Sequence, residues 1–252
     1  MTIEIVDLTE QLKNAMIMNK IMIWSDFACP YCYIGEKRLK DALKELGWED
    51  KFEISYKAFE LNPEASKVPS EGSIVERLAR KYGLSIGEAQ EKIDSIDAQG
   101  RDLGIDFRYS TAKPSNTFDA HRLMKLAEAR YSQDIIEKLN KNLFDAYFVR
   151  NQVLADKTVL LENALMAGLK EEEVMKTLDT DEFGPAVRKD EEEAARLGVR
   201  GVPYIVFNNR YAIPGALSID DFKSVLQEVF DSEPVENVSG KAKSCDENGC
   251  SL

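Results

Sequence analysis

No apolar stretch in this chain approaches the roughly 20 consecutive residues needed to cross a bilayer, so a transmembrane segment is not expected. Positive charge is in the minority. Against 45 Asp and Glu stand 33 Lys and Arg, a net charge of −12, which leaves no basic footprint for nucleic acid or an anionic membrane surface. The opening residues Met1-Thr2-Ile3-Glu4 carry acid early and lack the basic-then-apolar order of a secretory signal, so a cytoplasmic location is expected. Internal repeats and low-complexity tracts are absent. Cysteine is scarce: the four copies form two close pairs, Cys29 with Cys32 and Cys245 with Cys250. In a reducing compartment such pairs are more often catalytic or metal-binding than structural.

The 252 residues can bury a substantial core. Residues 1–17 read as an extension ahead of the first core strand. Strand character appears over 21–27 and 52–59, separated by a helix that begins at Cys29. Helical periodicity then runs almost unbroken: 74–82, 86–103, 118–131, 135–148, 159–167, 171–178 and 183–197. Strand character returns at 204–207 and 211–213 around an Asn208-Asn209 turn, and a helix over 218–230 follows. The order β-α-β, helical insertion, β-β-α implies an α/β fold whose sheet is shared between the two ends of the chain. Its expected parts are a discontinuous sheet domain over 18–64 and 184–230 and a helical insertion over 65–183. Residues 231–252 are polar and read as a mobile tail carrying the second cysteine pair.

Cys29-Pro30-Tyr31-Cys32 lies where an apolar strand hands over to an amphipathic helix. There the unpaired N–H groups and the positive end of the helix dipole favour a thiolate over a thiol, and Pro30 fits the first turn, where its missing N–H costs nothing. The pair reads as a redox dithiol, with Cys29 expected to be exposed and to attack and Cys32, one turn deeper, to resolve. The same spacing also suits two zinc ligands, although the helix-start placement favours redox chemistry. Val202-Pro203, just before a strand, reads on its own as an ordinary proline at a strand start.

Three stretches, 24–35 (Trp-Ser-Asp-Phe-Ala-Cys-Pro-Tyr-Cys-Tyr-Ile-Gly), 116–122 (Asn-Thr-Phe-Asp-Ala-His-Arg) and 198–203 (Gly-Val-Arg-Gly-Val-Pro), together resemble the FrnE-like branch of the DsbA family. The resemblance implies a thioredoxin-like fold interrupted by a large all-helical domain, and thiol–disulfide oxidoreductase activity on protein thiols or disulfides. It also implies a cis Pro203 facing the dithiol. Pro30, Tyr31, Val202 and Pro203 would then contact substrate, with the Val202 backbone offered to an extended peptide. DsbA proper has histidine between its cysteines; Tyr31 supplies no cation, so a less oxidising couple is expected. Cys-Pro-Tyr-Cys is also similar to the glutaredoxin active site, which makes glutathione a candidate reductant or co-substrate. No resident cofactor or metal is expected.

Rival readings are a glutathione-dependent isomerase or transferase of the same fold and a zinc-stabilised binding module. The isomerases and transferases typically carry serine at the position of Cys29, which weighs against the first. His121, the single histidine, falls on a helix that Ser115, Asn116 or Thr117 would cap; a satisfied or solvent-edge imidazole is the ordinary expectation, and a proton shuttle beside the dithiol the functional one. Cys245 and Cys250 read as an auxiliary electron shuttle to Cys29-Cys32, with a zinc clip or an inert terminal disulfide as alternatives.

Overall fold

A computed structural model describes residues 19–69 and 72–231, together with the backbone of 245–246 and 249–250. The extension over 1–17 lies outside the described residues. Strand β1 (Asn19–Ser25) occupies the centre of a four-stranded sheet and buries Ile21, Ile23 and Trp24 completely. It pairs in parallel with β2 (Phe52–Ala58), Ile21 opposite Ile54. On its other side it pairs antiparallel with β3 (Tyr204–Phe207), Ile23 opposite Ile205. Strand β4 (Tyr211–Pro214) closes the hairpin and sets the order β2-β1-β3-β4. Asn208 and Asn209 make the turn with φ of 52° and 54°, a region asparagine tolerates better than most residues. The sheet is thus built from both ends of the chain, in a mixed α/β thioredoxin-like fold.

Helix α1 (Pro30–Leu46) follows β1 and buries Leu39, Ala42 and Leu43, with Gly47 at φ 65° ending it in a left-handed cap. Between β2 and β3 the described residues form seven α-helices: α2 (Ile74–Tyr82), α3 (Ile86–Asp102), α4 (Phe118–Arg130), α5 (Gln133–Phe148), α6 (Lys157–Ala167), α7 (Glu171–Asp179) and α8 (Gly184–Arg196). Both α2 and α3 begin with reciprocal capping boxes, Ser73 with Glu76 and Ser85 with Glu88. After the hairpin, α9 (Ile219–Asp231) packs on α1. The backbone of 245–246 (β5) pairs antiparallel with 249–250 (β6), Cys245 opposite Cys250; the side chains of this pair lie outside the described residues.

Two groups of contacts tie the helices, one to each other and one to the sheet. Tyr33 of α1 stacks on Phe144 of α5 at 4.9 Å between ring centroids and donates its hydroxyl to Asp145 at 2.5 Å; Phe107, Tyr109 and Phe148 extend the aromatic cluster. Asp190 of α8 is buried at the other side. It accepts from the Ala58 N–H at 3.1 Å and ion-pairs with Lys57 and with Lys125 of α4, while its carbonyl takes the Trp24 indole N–H at 3.0 Å. A buried carboxylate is tolerated only when satisfied in this way.

Gly100 in α3 leaves room for the Phe107 ring: a Cβ there would sit 2.3 Å from Phe107 Cδ2. Alanine would gain up to about 1 kcal/mol of helix propensity, whereas overpacking a closed core costs about 1–3 kcal/mol. Gly100→Ala is therefore expected to lower Tm by a few degrees in a calorimetric scan; an unchanged or higher Tm would mean that the ring has room to retreat.

Candidate active site

Cys29 is the N-cap residue of α1, with extended backbone angles (φ −95°, ψ 113°) and Pro30 in the first turn. Its N–H donates to the Asp26 carbonyl at 3.0 Å and its carbonyl accepts from Cys32 N–H at 3.1 Å, so the dithiol loop is a tight, hydrogen-bonded turn. The Asp26 carboxylate braces the turn from inside by accepting from Ala28 N–H at 3.1 Å and Leu61 N–H at 2.7 Å. Cys29 Sγ donates to the Val202 carbonyl at 3.4 Å. The Val202–Pro203 peptide bond is cis. Pro203 is held in turn by its carbonyl, which accepts from Gly215 N–H at 2.7 Å. Gly35 lets α1 approach this loop: a Cβ there would lie 3.1 Å from Ala216 Cβ and 3.2 Å from Pro203 Cγ.

The expectation of an exposed Cys29 is corrected by the structure, in which both Cys29 and Cys32 are fully buried. The reason is the helical insertion, which sequence periodicity delimits but cannot dock. It brings Tyr109 into electrostatic reach of Cys29, and Tyr31 turns inward beside it. Pro30 and Tyr31 are buried as well, so Tyr31 does not present its ring to solvent. Burial pushes the Tyr31 phenol up to about 12, which keeps it neutral.

Cys32 lies beneath Cys29. Desolvation, reinforced by the neighbouring Cys29, holds its thiol well above the ordinary range. Two groups pull in the opposite direction, the Asp26 backbone and the Ser25 side chain. Ser25 donates at 3.1 Å to Glu36 Oε1, and the other carboxylate oxygen accepts from Asn140 Nδ2 at 2.5 Å. Glu36 is buried, and its carboxyl is pushed up to about 7 chiefly by desolvation, against the pull of Lys40, Asn140 and Ser25. Ser25, Asp26 and Glu36 were not among the residues the sequence pattern singled out. A signal existed: Cys32, Glu36, Leu39 and Leu43 share one stripe of α1, so a carboxylate interrupts the apolar face.

His121 is neither solvent-edge nor satisfied. It is buried on α4, against the Phe27 ring at 5.0 Å, with Nε2 unpartnered and 3.8 Å from Asp26 Oδ1. Its contacts are with the base of the dithiol loop. Asn116, one residue before the N-cap Thr117 of α4, accepts from Phe118 N–H at 3.0 Å and donates to Glu60 and the Pro63 carbonyl. A cleft of about 520 Å³ opens beside the loop, lined by Asp26, Ala28, Tyr109 and Tyr147 on the dithiol side and by Arg77 and Lys81 of α2 on the other. Among the described residues no helix is long and apolar enough to cross a membrane.

A family model described as a DSBA-like thioredoxin domain matches residues 20–227. A solved structure described as a probable DsbA oxidoreductase from Streptomyces coelicolor is 33% identical, covers 93% of this chain and 99% of its own, and superposes with a TM-score of 0.78. The cytosolic disulfide reductase DsbM from Pseudomonas aeruginosa, solved with GSH, shares the fold at 15% identity and a TM-score of 0.56, over 82% of this chain and 97% of its own. The uncharacterised protein YwbO of Bacillus subtilis is 23% identical over 210 residues, 82% of this chain and 96% of the relative.

Burial of Glu36 has a consequence for stability. Between about pH 4.5, where the carboxyl ordinarily titrates, and about pH 7, the folded protein holds a proton that the unfolded chain has released. Stability therefore falls as pH rises across this window, by an amount on the order of 3 kcal/mol if the whole shift is realised. Glu36→Gln is expected to have a higher Tm than the parent at pH 8 and a Tm near the parent's at pH 5. A variant equally or more destabilised at pH 8 would contradict the assignment.

Proposed function

From the membership of this chain in the DSBA-like thioredoxin family, we propose that it is a thiol–disulfide oxidoreductase that exchanges disulfides with protein substrates, with Cys29 attacking and Cys32 resolving. The observation that carries the reading is the Cys29 sulfur at the N-terminus of α1, 3.4 Å from the carbonyl of Val202 and next to cis Pro203. A sulfur there can attack a substrate disulfide while the substrate backbone lies along the Val202-Pro203 segment as an added strand. Attack forms a Cys29–substrate disulfide and releases the first substrate thiolate. Cys32 then closes on Cys29 and releases the second, leaving the pair oxidised and the substrate reduced. With the pair oxidised at the outset, the same steps run in reverse and oxidise a substrate dithiol. Net direction follows the redox poise of the compartment, and the cytoplasm is the compartment that the sequence suggests.

The cleft favours a second reading, in which a small anionic thiol such as glutathione is reductant or co-substrate. Its volume falls in the range of small-molecule sites, it opens beside Ala28, and its lining carries both signs of charge, Arg77, Arg80 and Lys81 with Asp26 and Glu64. DsbM, of the same fold, was solved with GSH.

Insulin reduction and oxidation of a reduced model protein test the first reading. Cys29→Ser is expected to abolish both, and Cys32→Ser to accumulate a mixed disulfide detectable by mass; full activity in Cys29→Ser would defeat it. Titration calorimetry with glutathione tests the second: saturable binding weakened severalfold by Arg77→Ala is expected, and no saturable heat would remove glutathione from the account. If the tail pair shuttles electrons, Cys245→Ser with Cys250→Ser slows turnover with a physiological reductant and leaves the Cys29-Cys32 chemistry in place; unchanged turnover ends that proposal.

A further inference from the structure

A protein substrate laid along Val202-Pro203 meets the Cys29 sulfur only if that segment keeps its distance from α1. Three contacts hold the segment from behind. The Pro203 carbonyl accepts from Gly215 N–H at 2.7 Å, which makes the turn after β4 its backing. Gly35 of α1 lies against both, since a Cβ there would sit 3.1 Å from Ala216 Cβ and 3.2 Å from Pro203 Cγ. One helical turn further on, Arg38 donates Nη1 to the Leu217 carbonyl at 3.4 Å and Nη2 to Gln99 Oε1 of α3 at 3.2 Å.

We propose that Arg38 is a positioning residue that fixes the Val202-Pro203 segment against Cys29 and, through Gln99, ties its position to the helical insertion, so that polypeptide disulfides are favoured over small ones. The assignment rests on the exchange reading and deepens it, by placing part of the choice of substrate in a side chain outside the dithiol.

The shape of the side chain suits this part. A guanidinium is a planar fork of donors that serves two acceptors in different directions at once, whereas a lysine ammonium is a point charge on a flexible stem. Positions i and i+3 share one face of a helix, so Arg38 follows Gly35 toward the 215–217 turn. Arg38 and Gln99 are both half-buried, where a charged hydrogen bond is screened less than at the open surface. Leu217 lies 179 positions away in sequence and Gln99 lies 61 away, so a single side chain joins α1, the insertion and the end of the sheet domain. Without the fork, the Gly35 contact and the Gly215 hydrogen bond remain, and the segment is loosened rather than lost.

Loosening bears unequally on the two kinds of substrate. An added strand binds through backbone groups spaced along the segment, and a misplacement of about 1 Å can cost as much as about a hundredfold in a reaction that depends on alignment. A small disulfide needs only the sulfur. Tyr31 of the dithiol loop is influenced by both Arg38 and Gln99, so the reactivity of the dithiol itself is measured separately.

Reduced full-length protein is mixed with excess disulfide, quenched in acid and alkylated, and loss of free thiol from the peptide carrying Cys29 and Cys32 is followed by mass. Rising insulin concentration yields a half-saturating concentration and a maximal rate, and hydroxyethyl disulfide yields the reactivity of the dithiol toward a small partner. In Arg38→Met, which keeps an unbranched apolar stem, the half-saturating insulin concentration is expected to rise at least about fivefold while both rates stay within about twofold, the pattern of lost binding rather than lost chemistry. Arg38→Lys should recover part of that rise, and Gln99→Ala should show a smaller rise of the same kind. Equal losses with insulin and hydroxyethyl disulfide in Arg38→Met mark a structural role and overturn the proposal, as does an insulin curve that matches the parent's. If Arg38→Met fails to fold, Arg38→Lys and Gln99→Ala decide, and parental insulin curves in both overturn it. Failure of the parent protein to react with either disulfide would instead defeat the exchange reading beneath it.

Discussion

The antiparallel pairing of β1 with β3 is the constraint on which the site depends. Lys20 and Asn208, 188 positions apart in sequence, exchange hydrogen bonds at the start of this pair. At its other end Trp24 lies opposite Tyr204. The chain therefore leaves β1 toward Cys29 at the same edge of the sheet where it enters β3 from Pro203. No local interaction could bring the two together. The entropy of closing so long a loop grows only logarithmically, by about 0.6 kcal/mol for each doubling of length. Seven helices can accordingly stand between the paired strands at little extra cost, provided that the last of them returns the chain to the sheet. Asp190 of α8 fastens that return to Lys57, Ala58 and Trp24.

The same helices change the character of the dithiol. A helix N-terminus would ordinarily leave the first sulfur at the surface. Here Phe144 packs on both Tyr33 and Phe27, His121 packs on Phe27 as well, and both sulfurs are enclosed. Access to Cys29 is then a matter of the Val202-Pro203 segment and the neighbouring cleft. Polar support for the loop comes from inside: Asp26 binds two backbone N–H groups, and His121 and Phe27 pack against its base. The chain is acidic overall, yet Arg77, Arg80 and Lys81 of α2 gather at the cleft, beside Asp26 and Glu64.

Much of this was legible in the sequence. The strand-to-helix position of Cys29-Pro30-Tyr31-Cys32, the helical run from 74 to 197 and the hairpin around Asn208-Asn209 all carry local periodicity or turn chemistry, and all stand where that chemistry puts them. The burial of Cys29, Tyr31 and His121 was not legible, since it depends on how helices far along the chain dock on α1 and β1. Glu36 shows the difference most clearly. In the run Glu36-Lys37-Arg38 it looks like one of three surface charges, and only the stripe through Cys32, Leu39 and Leu43 marks it as inward. Its partners Ser25 and Asn140 come from β1 and α5, and no spacing rule links them to it.

Burial moves the thiol and the carboxyl in opposite senses relative to neutral pH. Removing water disfavours the charged form of both, and so raises both. For Cys32 that moves ionisation away from neutrality and makes the resolving sulfur harder to activate. For Glu36 it moves ionisation toward neutrality, from the ordinary carboxylate range to about 7. The enclosure that disfavours the Cys32 thiolate thereby also leaves, in the same core, a carboxyl titrating at about 7. Hydrogen bonds from Ser25 and Asn140 limit the rise, so that the carboxyl can still lose its proton in the neutral range. An ionised Glu36 carboxylate therefore costs the fold stability above pH 7, a cost that the two hydrogen bonds reduce and do not remove.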